Sequence, residues 1–271
     1  MNSINEFEKF LVVYKGLSSV TVNGHIKSIK RISKHITLKK EDVDNYIFSL
    51  YKSKFSWSYK ESQIKTIEYW FEFNNNPIHF ARQRKPKPII KQTLTESEIT
   101  KILFCCKNIR EKSIIATLAY SGIRPKELTT LKLQDIDFGS NEIKIKQGKG
   151  LKDSVIYISS SCVKLLIEYI TKYPRNQQDL LFKTSDGLRA FNTECLRKLI
   201  KQLSKKSQIY KRVYPYIFRH SLATTMINRG ADILTVMKQL RHENLETTML
   251  YIHSFGYSPK NEYEKFAPSY L

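Results

Sequence analysis

The sequence predicts a mainly α-helical protein with one small antiparallel β-sheet, divided into two domains by a linker at 86–95. Apolar residues recur with helical spacing along most of the chain, and the period changes to alternation only within 136–159. Between the two halves a polar run with prolines interrupts the pattern. At 271 residues the chain has room for two domains, which most often hold about 100 to 150 residues each.

In the first domain, 1–85, Phe7, Phe10, Leu11 and Tyr14 fall at i, i+3, i+4 and i+7. After the turn KGLSS, a second helix is marked by Val22, Ile26, Ile29, Ile32 and Ile36, and the pattern recurs over 43–51 and 59–73. Four short helices are expected, with Lys27, Lys30, Arg31 and Lys34 on the exposed face of the second. A charged face is ordinarily a solvated one, but two basic residues per turn without matching acids also suit phosphate contact. In the linker, Pro86 and Pro88 favour an extended chain.

A capping box, Thr95 with Glu98, then opens the domain 96–271. Helical patterns over 99–106 and 112–120 lead to IDFGSNEIKIKQGKGLKDSVIYIS, 136–159. There Ile143 with Ile145 and Ile156 with Ile158 alternate with polar residues around a central GKG, as in a small antiparallel sheet. Helical patterns resume at 162–173, 193–204, 219–228, 233–240 and 247–252.

Charge narrows the function. Lysine and arginine number 46 against 25 acids, a balance of +21 that points to a polyanion partner, most naturally nucleic acid. Residues 1–90 hold 16 basic and 8 acidic side chains and the remainder 30 and 17, so both halves can meet that partner. A ribosome-associated or simply well-solvated basic protein shares this composition. Cys105, Cys106, Cys162 and Cys195 form neither a disulfide framework nor a CxxC pair, which suits a reducing, cytoplasmic compartment. The start MNSINEFEKF lacks an apolar leader core, and no run approaches the roughly 18 apolar residues of a membrane span, so no membrane is expected.

Three motifs carry chemistry. In SGIRPKEL, 121–128, Arg124 precedes a proline suited to the first helical position and a glutamate in the first turn. A helix start gathers N–H groups into an anion site, although an arginine beside a cap is often only structural. In YPYIFRHSLATTM, 214–226, Arg219 begins a helix three residues after Tyr216. In LRHENLETTMLYIH, 240–253, a break at 243–245 separates His242 from Tyr251, nine residues on, so the two can converge from two short helices. No HExxH and no carboxylate cluster is present, so no metal and no cofactor is implied.

SGIRPKEL, the GKG hairpin, YIFRHSLATTMINRGAD and LRHENLETTMLYIH stand in the order and spacing of the tyrosine recombinase (phage integrase) family, and the whole chain resembles its Xer-type members. The stretch EFEKFLVVYKGLSSVTVNGHIKSIKRI likewise resembles that family's core-binding domain. The resemblance implies a two-domain DNA clamp, a helical core-binding domain plus a catalytic domain. It implies Tyr251 as nucleophile, Arg124 and Arg219 as the clamp on the scissile phosphate, His242 at the second-histidine position and Lys149 as the hairpin lysine. Lys146 and Lys152 are nearby substitutes and candidate DNA contacts, and Glu127 and His220 are supports.

Tyr216 departs from the family's usual HxxR. A phenol can hydrogen-bond a phosphate but is no proton shuttle near neutral pH, which leaves proton handling to His242 and Lys149. Variants with lysine or tyrosine here occur in the family, some in archaeal elements.

The implied activity is site-specific recombination of double-stranded DNA through a 3′-phosphotyrosine intermediate, in a tetramer on paired sites. It would serve integration and excision of a mobile element or resolution of chromosome dimers. A non-catalytic DNA-binding protein of this fold and a type IB topoisomerase-like relaxing enzyme are the alternatives. The tail carries Tyr263, Phe266 and Tyr270 at near-helical spacing and is expected to dock on a neighbouring protomer.

Overall fold

α1 (Ile4–Val13), α2 (Ser19–Ile32), α3 (Lys40–Lys52) and α4 (Trp57–Phe73) follow the apolar periodicity of the first 73 residues. The computed structural model describes residues 4–34, 37, 39–86, 92–146, 153–184, 187, 189–244 and 248. It divides into two compact units, Met1–Pro88 and Ile89–Leu271.

In the first unit Phe7 and Leu11 of α1 pack on Val22, Ile26 and Ile29 of α2. Trp70 of α4 stands edge-on to Phe7 at 5.0 Å between ring centres. A second cluster joins Ile32, Val43, Ile47, Leu50, Ile64, Ile67 and Phe71. Each such fully buried side chain contributes roughly 1.5–3 kcal/mol over its exposed state. A polar seam also runs between α2 and α4: His25 Nδ1 lies 2.7 Å from Thr66 Oγ1, and Gln63 donates to Ser28 Oγ at 3.3 Å. Arg31 donates to the same Gln63 at 3.2 Å and stacks over Tyr59. Lys27, Lys30, Arg31 and Lys34 are all exposed.

The second unit opens where the capping box predicts: Thr95 Oγ1 accepts the Glu98 N–H at 3.2 Å and Glu98 accepts the Thr95 N–H at 2.7 Å. Just before it, Leu94 is buried and donates its N–H to Ser221 Oγ at 2.7 Å. α5 (Glu96–Phe104) leads to α6 (Ile109–Ser121), whose Ile114, Ile115, Ala116 and Leu118 lie in the middle of the core. The short α7 (Pro125–Thr130) and a 3₁₀ turn (Leu133–Asp135) precede β1 (Ile136–Asp137), β2 (Glu142–Ile145) and β3 (Ser154–Tyr157). The sheet is antiparallel in the order β1-β2-β3, with Ile143 opposite Ile156. α8 (Ser160–Lys172), α9 (Thr193–Lys206), α10 (Pro215–Asn228) and α11 (Ile233–Leu240) complete the described elements.

The mainly helical architecture with, among the described residues, one small antiparallel sheet is the one read from the sequence. Several helices start before their apolar patterns, α3 at Lys40 and α6 at Ile109; the largest difference is at α10, which starts at Pro215, not Arg219, because a proline at the first helical position needs no partner for its nitrogen. Tyr216 and Arg219 therefore share one helix, three residues apart. The GKG centre of the hairpin and, apart from Thr248, the helix expected at 247–252 lie outside the described residues. No described helix is long and apolar enough to cross a membrane.

Candidate active site

α6 stops after Ser121 because Gly122 turns to φ +64°, a conformation that costs glycine little. A Cβ at Gly122 would stand 2.9 Å from Leu240 Cδ2 and 3.0 Å from Leu222 Cδ2, so α10 and α11 close directly over this turn. Arg124 follows at the N-cap of α7, with Pro125 in the first turn. Glu127 reaches back from the third helical position and accepts the Arg124 N–H and Nη1, each at 3.0 Å.

Arg219 is 4 % exposed. Its Nη1 donates to the Gly122 carbonyl at 2.7 Å and its Nη2 to the Leu240 carbonyl. Arg124 Nη2 donates to the next carbonyl along the chain, Arg241 O, at 3.0 Å. Both guanidiniums are thus fastened to consecutive carbonyls at the end of α11. Terminal helix carbonyls lack an intrahelical partner and lie at the negative end of the helix dipole, so they accept cations readily. Fixed there and charged at any working pH, the two arginines suit bidentate binding of an anion that gathers charge during reaction.

The turn after α11 adds two groups. Arg241 takes φ +53°, and its side chain, 9 % exposed, pairs with Glu127 and donates to Ser154 Oγ at 3.4 Å. Burial raises the Glu127 pKa, but hydrogen bonds and charge from Arg241 and Arg124 outweigh it and hold the carboxyl below its ordinary value. His242 follows, half-buried, with Nδ1 2.9 Å from Oγ1 of the buried Thr248 and its N–H on the Met237 carbonyl at 3.1 Å.

Of the site residues read from the sequence, Arg124, Arg219 and His242 meet at this turn, with Glu127 beneath Arg124 as a support. Tyr216 is 47 % exposed in the first turn of α10, and His220 is buried. Lys146 pairs with Asp135 at 3.2 Å and borders a groove of about 370 Å³ shared with Glu127, Thr130, Lys132 and Lys144. Lys149, Lys152 and Tyr251 lie outside the described residues. Among the described residues no group of three His, Cys, Asp or Glu could hold a metal ion. Sequence reasoning missed Arg241 and Gln239, whose side-chain partners are distant in sequence, and Thr248, whose partner His242 is six residues away.

Residues 92–256 match the model of the phage integrase family. The chain is 32 % identical to tyrosine recombinase XerA of Pyrococcus horikoshii, over 78 % of this chain and 74 % of that protein. It is 28 % identical to a tyrosine recombinase of Pseudothermotoga lettingae, over 92 % and 93 %. The structure of XerH site-specific recombinase bound to difH substrate in a pre-cleavage complex shares the fold, with a TM-score of 0.73 at 18 % identity over 98 % of this chain and 84 % of that one. With the family model spanning more than half of its length, the chain belongs to the phage integrase family and is an Xer-like, tyrosine-type site-specific recombinase.

Proposed function

We propose that Tyr251 is the nucleophile of this recombinase and that Arg124 and Arg219 hold the scissile phosphate of a duplex DNA site. The observation that carries this reading is the anchoring of both guanidiniums on the Leu240 and Arg241 carbonyls, immediately before His242. Tyr251 Oη forms a bond to phosphorus while the bond from phosphorus to the 5′ oxygen breaks, leaving a 3′-phosphotyrosine and a free 5′ hydroxyl. The phenol loses its proton and the departing oxygen gains one, for which Lys149 on the β2–β3 hairpin is the donor. A free tyrosine titrates near pH 10, so the attack needs the electropositive surroundings that two arginines supply. The phosphotyrosine keeps the bond energy, and a 5′ hydroxyl of the exchanged strand reverses the step without ATP. Tyr216 hydrogen-bonds the phosphate, and His242 handles the remaining proton.

The substrate is double-stranded DNA with a specific recombination site. Net charge +21, the names of the relatives and the difH substrate held by the similarly folded XerH support it. Residues 1–85 are the core-binding domain and 96–271 the catalytic domain, joined through the linker at 86–95 as a clamp. Lys27, Lys30, Arg31, Lys34, Lys146 and Lys152 contact backbone phosphates. Cleavage takes place in a tetramer on paired sites, and the tail with Tyr263, Phe266 and Tyr270 docks on the neighbouring protomer.

The test is a nicked duplex carrying the site that the protein itself selects from random-sequence DNA, incubated with a chelator. Wild type is expected to form a covalent adduct that Tyr251→Phe does not. Binding without an adduct would favour the non-catalytic reading, and relaxation of supercoiled plasmid regardless of site would favour the topoisomerase-like one.

A further inference from the structure

The last turn of α11 also grips the hairpin. Gln239, 8 % exposed, accepts the Tyr157 N–H at 3.1 Å and donates to the Tyr157 carbonyl at 2.8 Å. Tyr157 ends β3, an edge strand, so the amide of Gln239 satisfies both backbone groups of that residue as a further strand would. The same nitrogen donates to the Ser121 carbonyl at 2.9 Å, next to Gly122. Two residues on, Arg241 reaches Ser154 Oγ, at the other end of β3, and pairs with Glu127. Between these side chains lie the Leu240 and Arg241 carbonyls that hold Arg219 and Arg124.

Both residues are costly choices for their places. Arg241 sits at a left-handed φ that glycine adopts more readily, and its Nε is buried with no partner among the described residues. A buried amide at position 239 costs more than an aliphatic side chain would unless its hydrogen bonds are used. Strain and buried polarity of this kind concentrate where geometry must be held.

We propose that Gln239 and Arg241 are positioning residues that set the β2–β3 hairpin, and with it Lys149, against the Arg124 and Arg219 pair. The inference rests on the assignment of Lys149 as proton donor and adds the device that delivers it. Gln239 acts on the leaving-group side, through β3. Arg241 acts on the phosphate side as well, through Glu127 and Arg124.

Single-turnover adduct formation on two nicked duplexes of the self-selected site separates these roles. One duplex has oxygen and the other sulfur at the bridging 5′ position. A thiol has a pKa of about 8.5 and leaves without a proton donor, whereas an alcohol does not. Gln239→Leu is expected to slow cleavage of the oxygen duplex about 10- to 100-fold, in the range of lost supporting contacts, and to recover the wild-type rate on sulfur. Lys149→Ala is expected to behave alike. Arg241→Gly suits the left-handed backbone and is expected to slow both duplexes, with DNA affinity unchanged.

Wild-type rates on the oxygen duplex for both variants, with only the melting temperature lowered, would overturn the inference. So would a Gln239→Leu defect of equal size on both duplexes. Should Gln239→Leu melt below the assay temperature, Ser154→Ala releases the other end of β3 and reports the same oxygen-to-sulfur ratio. A Lys149→Ala variant that stays slow on sulfur would refute the proton-donor reading itself, and the hairpin half of this inference with it.

Discussion

Arg219 carries a full charge at 4 % exposure, and the carbonyls of Gly122 and Leu240 are what make that burial tolerable. A lysine there would offer a point charge with three donors in place of a planar fork, and with two of them on the carbonyls it would have one left for the phosphate, without the bidentate grip of a guanidinium. Arg219→Lys is therefore expected to lower single-turnover cleavage by about 10²- to 10³-fold, the range for losing one fixed donor to a developing oxyanion, while DNA binding changes little. Glu127 gives a pH signature. Its pKa is lowered in the fold, so its contribution to stability is complete above the ordinary value of 4.5 and is lost as pH falls from there through the folded value. Urea midpoints of wild type should drop over that acid window, and Glu127→Gln should flatten the drop. Arg124, Arg219 and His242 were legible because each stands in a short local motif. Gln239 and Arg241 were not, since their side-chain partners lie 82 to 118 residues away and nothing near them in sequence announces the contact.

At the scale of elements, the turn from α6 to α7 sets the position of both arginines. Gly122→Ala would force an L-residue into a left-handed backbone, at roughly 1–2 kcal/mol, and push its Cβ against Leu240 and Leu222. Chemical denaturation should show that loss, and cleavage should slow as the Gly122 carbonyl shifts from Arg219. In the first unit, burial and the charge of Lys65 lower the pKa of His25. A histidine held neutral keeps its full contribution above its ordinary value of 6.5 and loses it as pH falls below that value. Hydrogen exchange of α2 and α4 amides should accelerate as pH falls below 6.5, after correction for intrinsic rates, and His25→Gln should remove the excess. Periodicity made these helices legible, and the change to alternation located the sheet. It misplaced the start of α10 because Tyr214, Pro215 and Tyr216 carry no apolar stripe, and the helix begins there on the geometry of Pro215.

For the whole molecule, net charge +21 predicts a steep salt dependence of DNA affinity, with a slope of about −0.9 per phosphate neutralised. Lys30→Ala and Lys34→Ala, each on the exposed side of the first unit, should lower the slope by about one apiece and leave sequence preference unchanged. Arg31→Ala should also loosen that unit, because Arg31 bonds Gln63 and covers Tyr59. The family was legible from four ordered motifs, whereas the DNA site was not, since groove readout depends on side-chain placement and DNA shape. The central claim concerns which of the 16 tyrosines attacks DNA. The direct measurement is proteolysis of the covalent adduct followed by mass spectrometry. A nucleotide joined through its 3′ phosphate to the peptide that contains Tyr251, absent in Tyr251→Phe, is the predicted result. The same group on Tyr216, which stands exposed one turn from Arg219, or an adduct that survives Tyr251→Phe, would contradict it.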